Sequence, residues 1–228
     1  VEKNYGRLLE FTFGTPYQIF YRIKNKISGQ EGVYDIFPGY RYRTKIIDNY
    51  DSRATTDTWQ NEVYKIANSI AAENNFSRVI DFGCGSGFKL MKFFSKIKTI
   101  GFEVEPALTF LRKKYPKHTW VDANKDITDF DKSKIIICSD VIEHVTDPDQ
   151  LIEKLKKLCD GYFVISTPER SLLYGAGSPY HLGPPANPTH IREWDFNEFR
   201  NYLNRHFTIH QHTITNQAQG TQTAVCSL

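Results

Sequence analysis

The sequence predicts an α/β protein: a mostly parallel sheet with helices on both of its faces. Three observations predict it. From residue 78 onward, short apolar runs alternate with stretches of helical period, as in consecutive strand–helix units. The run KIIIC at 134–138 is almost wholly apolar, as in a strand buried on both sides. The stretch RVIDFGCGSGFKL, residues 78–90, reads as a strand, a glycine turn and a helix start in direct succession.

The elements follow in chain order. Residues 1–55 are rich in aromatic side chains, as in YDIFPGYRYRTKIIDNYDSR, but carry neither strand nor helix rhythm. They are expected to be an extension packed on the main domain, either a structural apron or a cover over a site. Residues 56–228 are expected to form a single domain. Residues 56–75 place Trp59, Val63, Ile66, Ile70 and Ala71 at helical spacing, with Thr56 or Asp57 capping the start and Asn74–Asn75 the end. Strands are expected at 78–82, 98–103, 119–121, 134–139 and 161–166, with helices at 86–95, 105–115 and 148–158. After Pro168 an irregular segment runs to Arg192, punctuated by Pro and Gly. A loop that long in a compact domain is usually functional or disordered. The helix DFNEFRNYLNRH comes next, and the stretches 207–214 and 221–227 are expected to pair antiparallel at a sheet edge.

Composition narrows the function. The 228 residues suffice for one sizeable α/β domain. A net charge of +3 is too small to predict nucleic-acid or membrane binding through bulk electrostatics. No apolar run reaches the roughly 18 residues of a membrane span, and the chain opens without a basic-then-apolar leader. The cysteines Cys84, Cys138, Cys159 and Cys226 form no CxxC pair, which fits reduced, buried thiols in a cytoplasmic protein.

The glycine turn carries the chemistry. A dinucleotide fingerprint reads G-x-G-x-x-G, with a pyrophosphate at the helix start. Here Gly83, Gly85 and Gly87 are spaced G-x-G-x-G, and Asp81 ends the strand just before them. A carboxylate there repels a pyrophosphate and attracts an ammonium group. The fitting ligand is compact and cationic at this end, as S-adenosylmethionine is. Glu103, at the end of the second strand, can accept both hydroxyls of a ribose. Asp122, after the third, can accept from an adenine amino group, with the Ala123 N–H for a ring nitrogen. Singly, each acid is also an ordinary strand-end or turn residue.

The strings VIDFGCGSGF, IGFEVE, VDAN and ICSDVIEHVTDP resemble the class I S-adenosylmethionine-dependent methyltransferases, over residues 79–168. The resemblance implies a Rossmann-like, doubly wound sheet of seven strands, the last antiparallel. It implies that Asp81, Gly83, Cys84, Gly85 and Gly87 hold the methionine part of the cofactor. Glu103 and Val104 would lie at the ribose, and Asp122 and Ala123 at the adenine. Ser139 and Asp140 would lie beside the transferred methyl. The segment from STPERSLLYG to REWDFNEF resembles a subgroup associated with bacterial surface-glycan or secondary-metabolite genes. A small molecule or glycan precursor is therefore the expected acceptor. An RNA methyltransferase and a non-catalytic adenosylmethionine-binding subunit are the alternatives, and a homo-oligomer is left open.

On the acceptor side, His144, His190 and Asp140 are the catalytic candidates. Tyr174, Tyr180, His181 and Arg192, in the long loop, are the acceptor-binding ones. The bland roles are a braced turn for His144, solvated loop histidines, and an ion pair of Arg192 with Glu193 or Asp195. The motif DVIEH resembles motifs that bind a divalent metal in some quinone-ring O-methyltransferases and small-RNA end methyltransferases, though with Asp rather than Glu first. The resemblance offers Asp140, Glu143 and His144 as ligands, and Glu143 is equally a helix-start residue. The question of a metal is left open.

Overall fold

A computed structural model describes residues 32–45, 53, 58–127, 130–174 and 177–228. Its strands are β1 (Arg78–Phe82), β2 (Lys98–Glu103), β3 (Thr119–Asp122), β4 (Ser133–Ser139), β5 (Cys159–Pro168), β6 (Thr208–Asn216) and β7 (Thr221–Ser227). They form one seven-stranded sheet in the order β3-β2-β1-β4-β5-β7-β6. β3, β2, β1, β4 and β5 run parallel, β7 runs antiparallel to β5, and β6 runs antiparallel to β7. The expected C-terminal antiparallel pair is thus present, with β7 inside the sheet and β6 at its edge.

The helices are α1 (Asn61–Glu73), α2 (Phe88–Phe93), α3 (Ala107–Lys114), α4 (Pro148–Leu158), α5 (Arg170–Leu173) and α6 (Phe196–Asn204). Strand side chains alternate between the two faces, and two cores follow. Val79, Ile135, Ile137 and Val164 pack against Val63 and Ala67 of α1, Leu90 of α2 and Leu108 and Leu111 of α3. Ile80, Ile136, Cys138 and Ile165 pack against Leu151 and Leu155 of α4 and Phe199 and Leu203 of α6. The sheet is therefore doubly wound. Asp147 caps α4 by accepting from the N–H groups of Asp149 and Gln150, and Asp195 with Glu198 forms a capping box on α6.

Of the expected extension, residues 1–31, 46–52 and 54–55 lie outside the described residues, and residues 32–45 are part of the second core. Ile36, Phe37 and Tyr40 are buried in it. The Phe37 N–H donates to Glu198 Oε1 at 3.1 Å, and the Arg43 N–H to the Ile191 carbonyl at 2.9 Å. Trp194 Nε1 donates to the Tyr34 carbonyl at 2.9 Å. The expected caps Thr56 and Asp57 lie outside the described residues. Asn74 and Asn75 do end α1, Asn75 with a φ of 55°.

The described residues between Glu169 and Arg192 form two short helical turns. The Glu169 carboxylate accepts from the Leu172 N–H and starts α5, and Ser178 starts a 3-10 turn over Pro179–Leu182. Among the described residues, no helix is long and apolar enough to cross a membrane.

Candidate functional site

The site lies at the carboxyl ends of β1, β2 and β4, where open parallel sheets leave a crevice. The turn after β1 is built by three glycines with positive φ: Gly83 at 78°, Gly85 at 56° and Gly87 at 70°. Sequence alternatives are closed at Gly83, because a Cβ there would sit 2.3 Å from Val141 Cγ2. The N–H groups of Gly83 and Cys84 both donate to the Phe102 carbonyl, which pins the turn to β2. Cys84 is buried beside Gly101, and its thiol is pushed well above the ordinary range by that burial.

Asp81 is fully buried beneath this turn. Its Oδ2 accepts from the Tyr64 hydroxyl at 2.8 Å, while Oδ1 has no hydrogen-bond partner. Burial pushes its carboxyl up to about 7, the Tyr64 hydroxyl pulls it back, Glu103 raises it further and Lys89 opposes that. An unpartnered carboxylate oxygen inside a fold is costly. It is tolerated where a ligand supplies the donor, and an ammonium is the donor this charge asks for. The residues thus fit the amino-acid end of S-adenosylmethionine. Tyr64 was not legible as a site residue; its only signal was its place on the inward face of the helix at 61–73.

Glu103 lies over the same turn. Its Oε2 accepts from the Gly85 N–H at 2.6 Å and its Oε1 from the Val104 N–H at 2.9 Å. Burial raises its carboxyl and these two N–H groups lower it. Each oxygen keeps a lone pair for a ribose hydroxyl. At the end of β3, Asp122 is half-buried, and its Oδ1 accepts from the Asn124 N–H at 3.0 Å. The Ala123 N–H expected at a ring nitrogen is instead committed to the Glu103 carbonyl at 3.0 Å, because the β2–β3 ladder runs one residue further. The carboxylate, not that amide, is what this edge offers an adenine.

The end of β4 holds the remaining polar groups. Ser139 Oγ and Ser166 Oγ are 2.9 Å apart. Asp140, at a φ of 53°, accepts from Ser166 Oγ at 2.7 Å and from Gln60 Nε2 at 2.6 Å. Burial raises the Asp140 carboxyl, and these two donors restrain it. Gln60 precedes α1, and nothing in its sequence context marked it. Glu143 is fully buried, its Oε2 accepting from Thr167 Oγ1 at 3.0 Å and its Oε1 unpartnered. Burial and the neighbouring Asp140 hold its carboxyl well above the usual range. The His144 and His190 rings meet edge to face, centroids 4.7 Å apart. Burial lowers His144 to about 4, so the ring is neutral and a weak base at ordinary pH. The structure gathers Glu143 and His144 with His190, not with Asp140 as the resemblance of DVIEH implied: one polar atom from each lies within 4.8 Å of the others. Asp140 is turned to Ser166 and Gln60 instead.

The long segment places its candidates unevenly. Arg192 is only 2% exposed. Its guanidinium donates to the carbonyls of Val145 and Thr146, at 2.9 and 2.8 Å, and stacks on Tyr34, Tyr42 and Trp194. It clamps the turn after β4 to residues 32–45, so both the acceptor role and the ion pair with Glu193 or Asp195 are corrected. The buried arginine that does pair with acids is Arg170, 2.6 Å from Glu198 and 3.7 Å from Asp195. His181 is buried edge-on against Tyr174, and the Tyr174 hydroxyl accepts from the Ala186 N–H at 2.9 Å. Tyr180, 44% exposed and packed on Tyr174, is the side chain of this group that faces solvent most openly.

The family model described as a methyltransferase domain matches residues 53–228. No curated protein matches the chain. Among solved structures, the chain resembles the magnesium protoporphyrin IX methyltransferase ChlM of Synechocystis PCC 6803, solved with bound SAH. The TM-score is 0.56 at 18% identity, over 74% of this chain and 83% of that one. It resembles the plantazolicin methyltransferase BamL, in complex with a desmethylPZN analog and SAH, at TM-score 0.58 and 14% identity, over 78% and 88%. The methyltransferase domain of bacterial CtHen1-C matches at TM-score 0.54 and 18% identity, over 74% and 98%.

Proposed function

The chain belongs to the methyltransferase-domain family, with the class I fold and S-adenosylmethionine as its cofactor, and from that premise we propose that it methylates a small-molecule or glycan-precursor acceptor. The observation that carries the reading is the buried Asp81 carboxylate, one oxygen unpartnered, under three left-handed glycines. Residues 56–228 are read as the transfer domain and 1–55 as its extension.

S-adenosylmethionine supplies a methyl group already activated on a sulfonium. The protein's part is to bind, orient and take up a proton. Asp81 holds the ammonium, with Tyr64 fixing the other carboxylate oxygen. Glu103 accepts from the ribose, and its own bonds to Gly85 and Val104 keep it aimed. Asp122 accepts from the adenine amino group. Asp140 is the group to receive the acceptor's proton: burial raises its basicity, and Ser166 and Gln60 fix its position. Tyr180, exposed and packed on Tyr174 in the segment that leaves β5, offers an aromatic face suited to a sugar or a small aglycone rather than a polyanion. The small net charge supports the same choice over RNA. The four free, buried cysteines support a reducing, cytoplasmic setting, and bacterial polysaccharide or secondary metabolism is the context read from the sequence.

The test is a screen of sugar nucleotides, glycan precursors and small hydroxylated metabolites with the full chain and S-adenosylmethionine. The expected result is acceptor-dependent release of adenosylhomocysteine and a product heavier by one methylene. Glu103→Ala is expected to weaken cofactor binding by about 3 kcal/mol or more, since charge-assisted hydrogen bonds contribute roughly 1.5–3 kcal/mol each. A chain that binds no S-adenosylmethionine by calorimetry overturns the reading.

A further inference from the structure

We propose that Glu143, His144 and His190 form a binding site for a divalent transition-metal cation at the end of β4, with Mn²⁺, Fe²⁺, Co²⁺ or Zn²⁺ as its ligand class. One donor atom from each residue lies within 4.8 Å of the other two. Around a cation with bonds of about 2.1 Å, such donors stand roughly 3.4 Å apart, so a small side-chain adjustment closes the set. Glu143 Oε1 and His144 Nε2 are already 3.8 Å apart.

The second, independent observation is the orphaned oxygen. Glu143 is fully buried, and its Oε1 has no hydrogen-bond partner. A fold that only packed this side chain would leave a buried acceptor unsatisfied at substantial cost. A cation supplies what it lacks.

The outer groups are arranged as metal sites arrange them. Metal-binding imidazoles hand their other ring nitrogen to a carbonyl or a carboxylate, which fixes the tautomer. Here His144 Nδ1 meets the Thr189 carbonyl at 3.0 Å, and His190 Nδ1 meets Glu193 Oε1 at 2.6 Å. Both bonds place the Nδ1 proton and leave an acceptor lone pair on Nε2. Thr167 Oγ1 donates to Glu143 Oε2 at 3.0 Å and holds the carboxylate edge. Asn187 Nδ2 now donates to His190 Nε2 at 2.9 Å; the cation takes that lone pair and the amide turns away. Two imidazoles and one carboxylate suit a transition metal better than Mg²⁺ or Ca²⁺, which prefer all-oxygen sets. Three protein ligands leave positions open for water or an acceptor oxygen. That last use rests on the methyl-transfer reading; binding of the metal does not.

The experiment titrates the full chain, without cofactor, with MnCl₂ followed by electron paramagnetic resonance, and separately with CoCl₂. Expected are one Mn²⁺ per chain, and Co²⁺-shifted, exchangeable proton signals from the Nδ1–H groups of two imidazoles. Glu143→Gln and His144→Ala are expected to weaken Mn²⁺ binding by about a hundredfold or more, and Glu193→Gln by about ten- to hundredfold. S-adenosylmethionine affinity of Glu143→Gln, measured by calorimetry, reports that the variant is folded. Glu103→Gln, outside the cluster, should bind Mn²⁺ as the parent does while losing cofactor affinity, so failure of the metal site and failure of the transfer reading are separable. A parent chain that binds none of Mn²⁺, Co²⁺ and Zn²⁺ at millimolar concentration overturns the proposal. So does metal binding unchanged in both Glu143→Gln and His144→Ala, or a Co²⁺ complex without the imidazole signals.

Discussion

The affinity for S-adenosylmethionine should fall steeply on mild acidification, because of Asp81. Burial pushes its carboxyl up to about 7. Three groups face it: the Tyr64 hydroxyl from α1, Glu103 from β2 and Lys89 from α2. An ammonium ligand needs the ionised form. Below pH 7 the protein must first lose a proton, so affinity drops tenfold, about 1.4 kcal/mol, for each unit. From pH 7.5 to 5.5 the expected loss is roughly ten- to thirtyfold, after allowing for an α-amino group that ordinarily titrates near 7.7–8.0. Stability of the free protein runs the other way. An acid whose folded value is raised binds its proton more tightly in the fold than in the unfolded chain. Its destabilising effect is complete above pH 7 and fades as pH falls towards 4. Asp81→Asn should therefore raise the melting temperature at pH 8 while abolishing high-affinity cofactor binding. Calorimetry in two buffers of different ionisation enthalpy measures both affinity and proton release. Tyr64→Phe removes a restraint on the carboxyl and should shift the profile to higher pH. A flat affinity between pH 7.5 and 5.5 refutes the reasoning, as does an Asp81→Asn variant that keeps the parent slope.

Three further outcomes are expected. Gly83→Ala combines left-handed strain of about 1–2 kcal/mol with overpacking against Val141 of about 1–3 kcal/mol. Gly177→Ala, with φ 84° and nothing within 4 Å, carries the strain alone, so Gly83→Ala should melt several degrees lower. Arg192→Ala should cost about 3 kcal/mol of stability by orphaning the Val145 and Thr146 carbonyls; unchanged melting with selective loss of turnover would return it to the acceptor pocket. The thiols of Cys84 and Cys138 lie well above the ordinary range, and burial pushes Cys159 to about 11 and Cys226 to about 12. Native protein should thus resist a disulfide reagent at pH 8 and release four thiols only on unfolding, read by absorbance.

The parallel half of the sheet was legible because its strands are buried on both faces, so Val79–Ile80 and Ile135–Cys138 announce themselves without neighbours. Asp81 and the glycines were legible because turn geometry is local. The rest depends on which way a side chain points. Arg192 and His181 have the chemistry of a binding loop, but the loop folds inward, and burial turned both into parts of the scaffold. Tyr64 and Gln60 act through partners distant in sequence, and residue type alone does not state a partner. The same holds for His190, which joins Glu143 only because the loop returns across the end of β4.

The placement of β7 sets an order of events for a chain emerging from a ribosome. β6 is made first, yet in the sheet it touches only β7. Its seat is created by the strand that follows it. Until residues 221–227 emerge, the edge of β5 from Tyr162 to Pro168 has no neighbour, and that edge belongs to the apolar centre of the fold. Before β7 joins, the fold therefore exposes an open, sticky strand edge beside a β6 held by side-chain contacts such as the stacking of His212 on Phe196 of α6. Chaperone demand should peak in that interval of synthesis and end when β7 slides between the two.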